Sequence, residues 1–327
     1  MTANLSVEEQ IAALRGRGSA ARTDYAAVEA YIGITAQQSG MYQLVPSSRF
    51  AGVATAQARL GEHLLGRAGS AALRARLGGA VARSALLAGR IAFFDLHAPA
   101  AAAQHYRLAL DAATEVGDGA LASAIRTHAA FVPGFAGRGA EARATLESAF
   151  EPGPGARLCA VQRGWLHAVG AEIEGRLGGH NAARAHLDRS RELMARPDWS
   201  AVPAWLDYFD ASRLDGFAGS CQLRAGEPEL AAATLQAGLD ALPAAAVKQH
   251  AVVLADLAEA RIAQLEIVEA CLLLTRALEL IAEHWYATAM LRVRAVRAKL
   301  APHAGLPAVQ ELDDLLATWS DTLPAQP

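Results

Sequence analysis

Five times along the chain, a small residue is followed four positions later by a large one and three beyond that by another small one. The triplets are Ala102–Tyr106–Ala109, Ala142–Leu146–Ala149, Ala183–Leu187–Ser190, Ala231–Leu235–Gly238 and Ala270–Leu274–Ala277. Their leading alanines lie 40, 41, 48 and 39 residues apart. On an α-helix, positions three and four apart share a face. Each triplet is therefore a stripe along which a second helix approaches at the small residues, while the large one fills the gap between neighbours. One such triplet means little in an alanine-rich chain. Five at a near-constant period describe stacked helix pairs, each of which buries its apolar face only against the next.

Turn chemistry falls just ahead of the triplets, at His97-Ala98-Pro99, Gly137-Arg138-Gly139, Gly178-Gly179-His180-Asn181 and Gly226-Glu227-Pro228. Glycine takes the left-handed conformation that ends a first helix, and proline suits the opening of a second. The fifth pair has no glycine there and reads Gln264-Leu265-Glu266. First helices are predicted over Ala80–Leu96, Leu121–Ala136, Ala160–Leu177, Ala211–Ala225 and Val252–Leu265. Around them, Ser6–Arg15, Thr23–Gln38 and Arg49–Leu65 read as an N-terminal helical cap, with a loop from Gly40 to Ser48. His284–Leu300 and Pro307–Ser320 read as C-terminal capping helices. The expected fold is all-α, a right-handed α–α superhelix of about five degenerate tetratricopeptide-like (TPR-like) pairs. Its expected organisation is a cap over residues 1–80, the pairs over 81–283, and closing helices over 284–327, all in one continuous solenoid.

Composition agrees. Apolar residues make up 53% of the 327 residues and charged residues 19%, too apolar for a disordered chain. Alanine and leucine, both strong helix formers, dominate the apolar set. Thirty basic residues face 33 acidic ones, for a net charge of −3; a nucleic-acid binder needs a basic excess, so direct nucleic-acid contact by this chain is not expected. Arg292, Arg294, Arg297 and Lys299 form the densest cationic run. They divide between opposite faces of one helix, which reads as a solvated helix. Cys159, Cys221 and Cys271 are isolated, as in a reducing compartment. Met1–Gln10 holds Glu8 and Glu9 and no apolar core of a signal peptide, and no uninterrupted apolar run approaches a membrane span. A soluble, cytoplasmic protein is the expectation.

Several segments carry a family likeness: Leu86-Leu87-Ala88-Gly89-Arg90-Ile91-Ala92-Phe93-Phe94-Asp95, His105-Tyr106-Arg107-Leu108-Ala109-Leu110-Asp111-Ala112-Ala113, Pro203-Ala204-Trp205-Leu206-Asp207-Tyr208-Phe209-Asp210, Leu254-Ala255-Asp256-Leu257-Ala258, Glu269-Ala270-Cys271 and Leu291-Arg292-Val293-Arg294-Ala295-Val296-Arg297. Through them the chain resembles the C-terminal TPR-like domains of actinomycete helix-turn-helix transcriptional regulators of the Cro/repressor type, over residues 20–320. These segments are structural and name no chemistry. The resemblance implies effector or partner sensing. Those regulators carry a DNA-binding module ahead of this domain. Here the sequence starts at Met1 without one, which fits either a trimmed sensory half or a stand-alone relative.

No HExxH, CxxC, GxSxG, GxGxxG or phosphate-loop pattern occurs, so no catalytic residue, metal ligand or cofactor is assigned. Counting back from the leading alanines, the first helices turn Phe94, Asp95, Thr127, Phe131, Trp165, Glu172, Arg176, Arg213, Arg224 and Glu259 toward the concave face. Aromatics with both charge signs suit an extended peptide or a small polar ligand with a ring on Trp165. The competing reading makes the aromatics core and the arginines surface, and for Phe93 and Tyr106 core is the expectation. The aromatic stretch Trp199, Trp205, Tyr208, Phe209 fits packing of an insertion against the solenoid, or a pocket wall or dimer surface. Ser39-Gly40-Met41-Tyr42-Gln43 is placed to fold over one end of the groove. Three functions remain open: a regulatory domain binding a peptide or small-molecule effector, a helical-repeat enzyme of specialised metabolism, and a ligand-free scaffold docking a protein partner. A homodimer is compatible with each.

Overall fold

The computed structural model describes residues 23–42, 44–206 and 208–318. The expected helix at Ser6–Arg15, the end of the last helix beyond Thr318, and Gln43 and Asp207 lie outside the described residues. Fourteen α-helices follow one another, and no strand occurs among the described residues. They are α1 (Tyr25–Met41), α2 (Ser47–Gly66), α3 (Ala71–Arg90), α4 (Pro99–Glu115), α5 (Gly119–Phe135), α6 (Gly139–Phe150) and α7 (Ala160–Arg176). After these come α8 (His180–Met194), α9 (Ala211–Arg224), α10 (Pro228–Ala241), α11 (Val247–Ala263), α12 (Ile267–Glu283), α13 (Ala287–Lys299) and α14 (Pro307–Ala317).

All fifteen triplet residues are buried. They lie on α4, α6, α8, α10 and α12, the second helices of five pairs whose first helices are α3, α5, α7, α9 and α11. First helices also pack on one another in succession, from α1 through α3, α5, α7, α9 and α11 to α13. They form an inner layer, and the chain is a TPR-like superhelix. Two predicted starts fall late: α3 begins at Ala71, where Ser70 Oγ accepts from Leu73 N at 3.2 Å, and α11 begins at Val247. The loop expected from Gly40 is shorter, because α1 runs to Met41 and α2 opens at Ser47.

Within each pair one residue makes the turn with positive φ: His97 (51°), Gly137 (72°), Gly178 (79°), Gly226 (77°) and Leu265 (64°). These five positions repeat the spacing of the triplets. Glycine relieves the Cβ clash of the left-handed region; His97 and Leu265 adopt it without that relief. Close approach follows from small residues on the facing helix. A Cβ on Gly219 of α9 would meet Leu235 at 2.4 Å, and one on Gly89 of α3 would meet the Tyr106 ring at 2.5 Å.

The stretch Ala71–Asp95 is long and apolar enough by composition to cross a membrane, despite Arg74, Arg76, Arg83 and Arg90, but 78% of its apolar window is buried among the other helices. Its last five residues, Ile91–Asp95, form a π turn, a rare widening of the helix often found at functional sites. This turn meets α2 and α13 as well as its neighbours. The superhelix thus curls until its first pairs touch its last helices. Thr288 Oγ1 on α13 donates to the Phe94 carbonyl at 2.8 Å across 194 residues of sequence. Phe94 packs against both large apolar clusters, one spanning Val28 to Cys221 and the other Ala251 to Leu312.

Candidate functional site

The curl forms a half-open chamber of about 180 Å³ lined from α3, α5, α7, α9, α11 and α13. One wall is aromatic. Phe94 meets Phe131 edge-on with centroids 5.2 Å apart, and Phe131 meets Phe135 at 5.7 Å. Trp165 lies edge-on to Tyr208 at 5.1 Å, and His128 sits 4.7 Å from Trp165 and 5.1 Å from Tyr208. His128 is buried, and neither ring nitrogen has a hydrogen-bond partner among the described residues. Burial first, and then the Arg90 charge, hold its pKa well below the usual value, so the ring is neutral at pH 7.

Charged groups adjoin these rings. Glu172 Oε1 accepts from Arg176 Nε at 2.7 Å, and Oε2 accepts from Arg224 Nη1 at 3.0 Å. Burial raises the Glu172 pKa, but Arg224, Arg176 and Arg292 outweigh it and keep the group ionised far into acid. Asp256 Oδ1 accepts from Arg292 Nη1 at 2.6 Å. There burial prevails over Arg292 and Arg224, and the Asp256 pKa is raised to about 6. Arg213, in the first turn of α9, is held from α11. With the Gln249 amide oriented to satisfy both groups, its Oε1 accepts from Arg213 Nη1 at 2.8 Å and Nη2 at 2.9 Å. Arg90 lies over the Tyr208 ring at 4.3 Å.

Behind the chamber runs a second seam. Asp95, fully buried, accepts from Tyr42 Oη at 2.8 Å, from Ser47 Oγ, and from Lys248 Nζ of α11. Lys248 Nζ also donates to Ser47 Oγ at 2.9 Å and lies 3.9 Å from the centre of the Tyr42 ring.

Of the ten residues assigned to the concave face, Phe94, Phe131, Trp165, Glu172 and Arg213 line the chamber. Arg176 and Arg224 stand behind Glu172, and Arg176 also covers the Phe135 ring at 3.6 Å. Three lie elsewhere. Asp95 belongs to the seam. Thr127 is buried, and its hydroxyl donates to the Ser123 carbonyl within α5 at 2.8 Å. Glu259 is half-buried outside the chamber lining and accepts from Lys299 at 2.6 Å.

Sequence reasoning missed Arg90, His128, Tyr286, Asp256 and Arg292, all of which line the chamber. Arg292 is a correction: the cationic run on α13 is not a uniformly solvated helix, because Arg292 turns inward to Asp256 with its side chain 18% exposed. Arg297 pairs with Asp313 and Lys299 with Glu259. Asp256 sits one turn before Glu259, so a register count on α11 that allowed for two inward positions would have found it. Within the insertion, Tyr208 lines the chamber, Phe209 is buried and Trp199 is exposed. Tyr42, from the segment expected to fold over one end of the groove, also lines it.

No protein-family model matches the chain, and no curated protein matches it. Among solved structures it is similar in fold to a Rap protein complexed with competence and sporulation factor. The identity is 13%, the TM-score 0.57, and the match covers 89% of this chain and 86% of that one. A likeness at this identity concerns the fold, and it agrees with an all-α superhelix of TPR-like pairs.

Proposed function

We propose that this chain is a regulatory binding domain that captures the end of a peptide or a small metabolite in its central chamber. The observation that carries the reading is the chamber itself, a half-open concavity of the superhelix where aromatic rings and a group of arginines line one space. Rings with a few convergent polar groups are the usual make-up of ligand sites. The volume is below the range of roughly 300–1,000 Å³ typical of drug-sized ligands, which favours a compact occupant over a docked helix. The similar Rap structure is complexed with a factor, which supports binding as a use of such a fold.

Regulation would follow from the way the walls are assembled. They come from helices distant in sequence, held together by the Phe94–Thr288 and Asp95–Lys248 contacts. An occupant touching several walls stabilises the closed curvature over any opened one and so shifts the population between them. That shift would be read by a partner or a second copy on the outer surface.

The test is a thermal-shift panel of short peptides and acidic, neutral and basic metabolites, run on the wild-type chain and on Gly216→Leu. Gly216 lines the chamber, and a Cβ there meets only Val253 at 3.8 Å, so leucine fills the space with little clash. A compound that raises the melting temperature of the wild type and not of Gly216→Leu supports the proposal. Equal shifts in both proteins, or none in either, overturn it.

A further inference from the structure

We infer that the chamber is an acid seat, in which the carboxylate of a ring-bearing or apolar carboxylic acid pairs with Arg213 while its apolar part lies against Trp165, Phe131 and Phe94. The inference deepens the proposed function and rests on the chamber being the ligand site.

Five arginines, Arg90, Arg176, Arg213, Arg224 and Arg292, stand in or directly behind the wall. Among the described residues the carboxylates there are Glu172, already bonded to Arg176 and Arg224, and Asp256, bonded to Arg292. Arg213 has no carboxylate within bonding distance among the described residues; a neutral amide oxygen of Gln249 holds it. That contact occupies two of the five guanidinium donors. The Asp210 carboxylate nearby accepts from Arg213 N and Ser212 Oγ, as the cap of α9. A cation drawn out of water against a neutral partner remains under-compensated. A bound carboxylate supplies the missing charge, and the planar fork of arginine matches it.

The rest of the lining fixes what the acid is attached to. Trp165, Phe131 and Phe94 offer ring edges and faces but no hydrogen-bonding partner other than the indole N–H. His128, neutral and buried among them, keeps both ring nitrogens sealed from solvent and without a hydrogen-bond partner among the described residues, so it adds a flat ring surface to this wall. The volume admits one residue-sized group. Two sources share this chemistry: a free aromatic or apolar acid, and the C-terminal residue of a peptide.

Isothermal titration with four probes separates the possibilities: 3-phenylpropionate and 3-phenylpropanamide, and the tripeptide Gly-Gly-Phe as free acid and as amide. The expected result is that at least one acid binds ten-fold or more tightly than its amide. Tight binding of only the small acid assigns the seat to a free metabolite, and of only the tripeptide acid to a chain terminus. Arg213→Gln should bring acid and amide to within about two-fold of each other, and Arg213→Lys should restore part of the preference. Circular-dichroism melting of both variants confirms that they fold. Equal binding of acid and amide by the wild type overturns the inference, as does an acid preference that survives Arg213→Gln. If no acid binds while a neutral or basic member of the wider panel gives a shift abolished by Gly216→Leu, the acid seat fails and the ligand chamber stands. If nothing binds from any class, both fail together.

Discussion

Lys248 on α11 donates to Asp95 in the π turn of α3 across 153 residues of sequence, with both side chains almost fully buried. With Ser47 and Tyr42 it forms a polar knot in an otherwise apolar seam. Removing one partner of a buried pair leaves the other charge uncompensated, at a cost of about 3–5 kcal/mol. Lys248→Met should therefore lower the urea midpoint sharply. Asp95→Asn combined with Lys248→Met should recover part of the loss, with a coupling of about 1 kcal/mol or more in a double-mutant cycle. Additive losses would mean that the contact does not hold the seam.

Leu265 makes the fifth turn at φ 64° with its side chain 77% exposed. It has left-handed strain and little packing to lose. Leu265→Gly should raise stability by about 0.5–1 kcal/mol, the relief of the Cβ clash less the entropy glycine adds to the unfolded chain. Gly137→Ala, at the equivalent turn of the second pair, should lower it by a similar amount. Chemical denaturation of both variants measures the pair of effects.

Gly219 and Gly79 are both helical glycines, and they should respond oppositely to alanine. At Gly219 the new methyl meets Leu235 at 2.4 Å, and overpacking of this kind costs about 1–3 kcal/mol. At Gly79 it meets only the Arg83 guanidinium at 3.5 Å, so the helix-propensity gain of about 1 kcal/mol remains. Thermal melting should place Gly219→Ala below the wild type and Gly79→Ala above it.

Asp256 titrates at about 6 in the fold, above the ordinary aspartate value near 3.9. The folded state therefore holds this proton at pH values where the unfolded chain has lost it. The associated stability is fully present below about pH 4 and is lost as pH rises through 6. Other groups titrate in the same window, so the comparison is with Asp256→Asn. Relative to that variant, the wild type should lose on the order of 1–3 kcal/mol between pH 4 and pH 7. Parallel stability–pH curves for the two proteins would contradict it.

How far the sequence reached is clearest in two helices. On α4, the packing rule that picks out Ala102, Tyr106 and Ala109 is local, since spacing along one helix sets which face is buried. All three are buried, and the same rule located every pair. On α13, Arg292 looks no different from Arg294 or Arg297 in the sequence, because its partner Asp256 lies 36 residues away. Its position depends on how far the superhelix curls, which is a sum of small rotations over all the pairs. The first-helix register reaches Phe131 and Trp165 by counting. Thr127 and Glu259 share a helix stripe with the lining residues Phe131 and Asp256 but sit one turn away along the axis, and the face that counting gives does not say how far along it the chamber extends. The π turn at Ile91–Asp95 brings Phe94 to the chamber and Asp95 to the seam, and a helical count through Ala80–Leu96 does not reveal it.

The central claim is that the chamber holds a ligand, and native mass spectrometry of the purified wild-type chain beside Gly216→Leu tests it most directly. After incubation with the panel, the wild type should carry a small-molecule or peptide mass that the leucine variant lacks, at equal folded content by circular dichroism. Bare chain masses for both proteins, or the same added mass on both, would contradict the account.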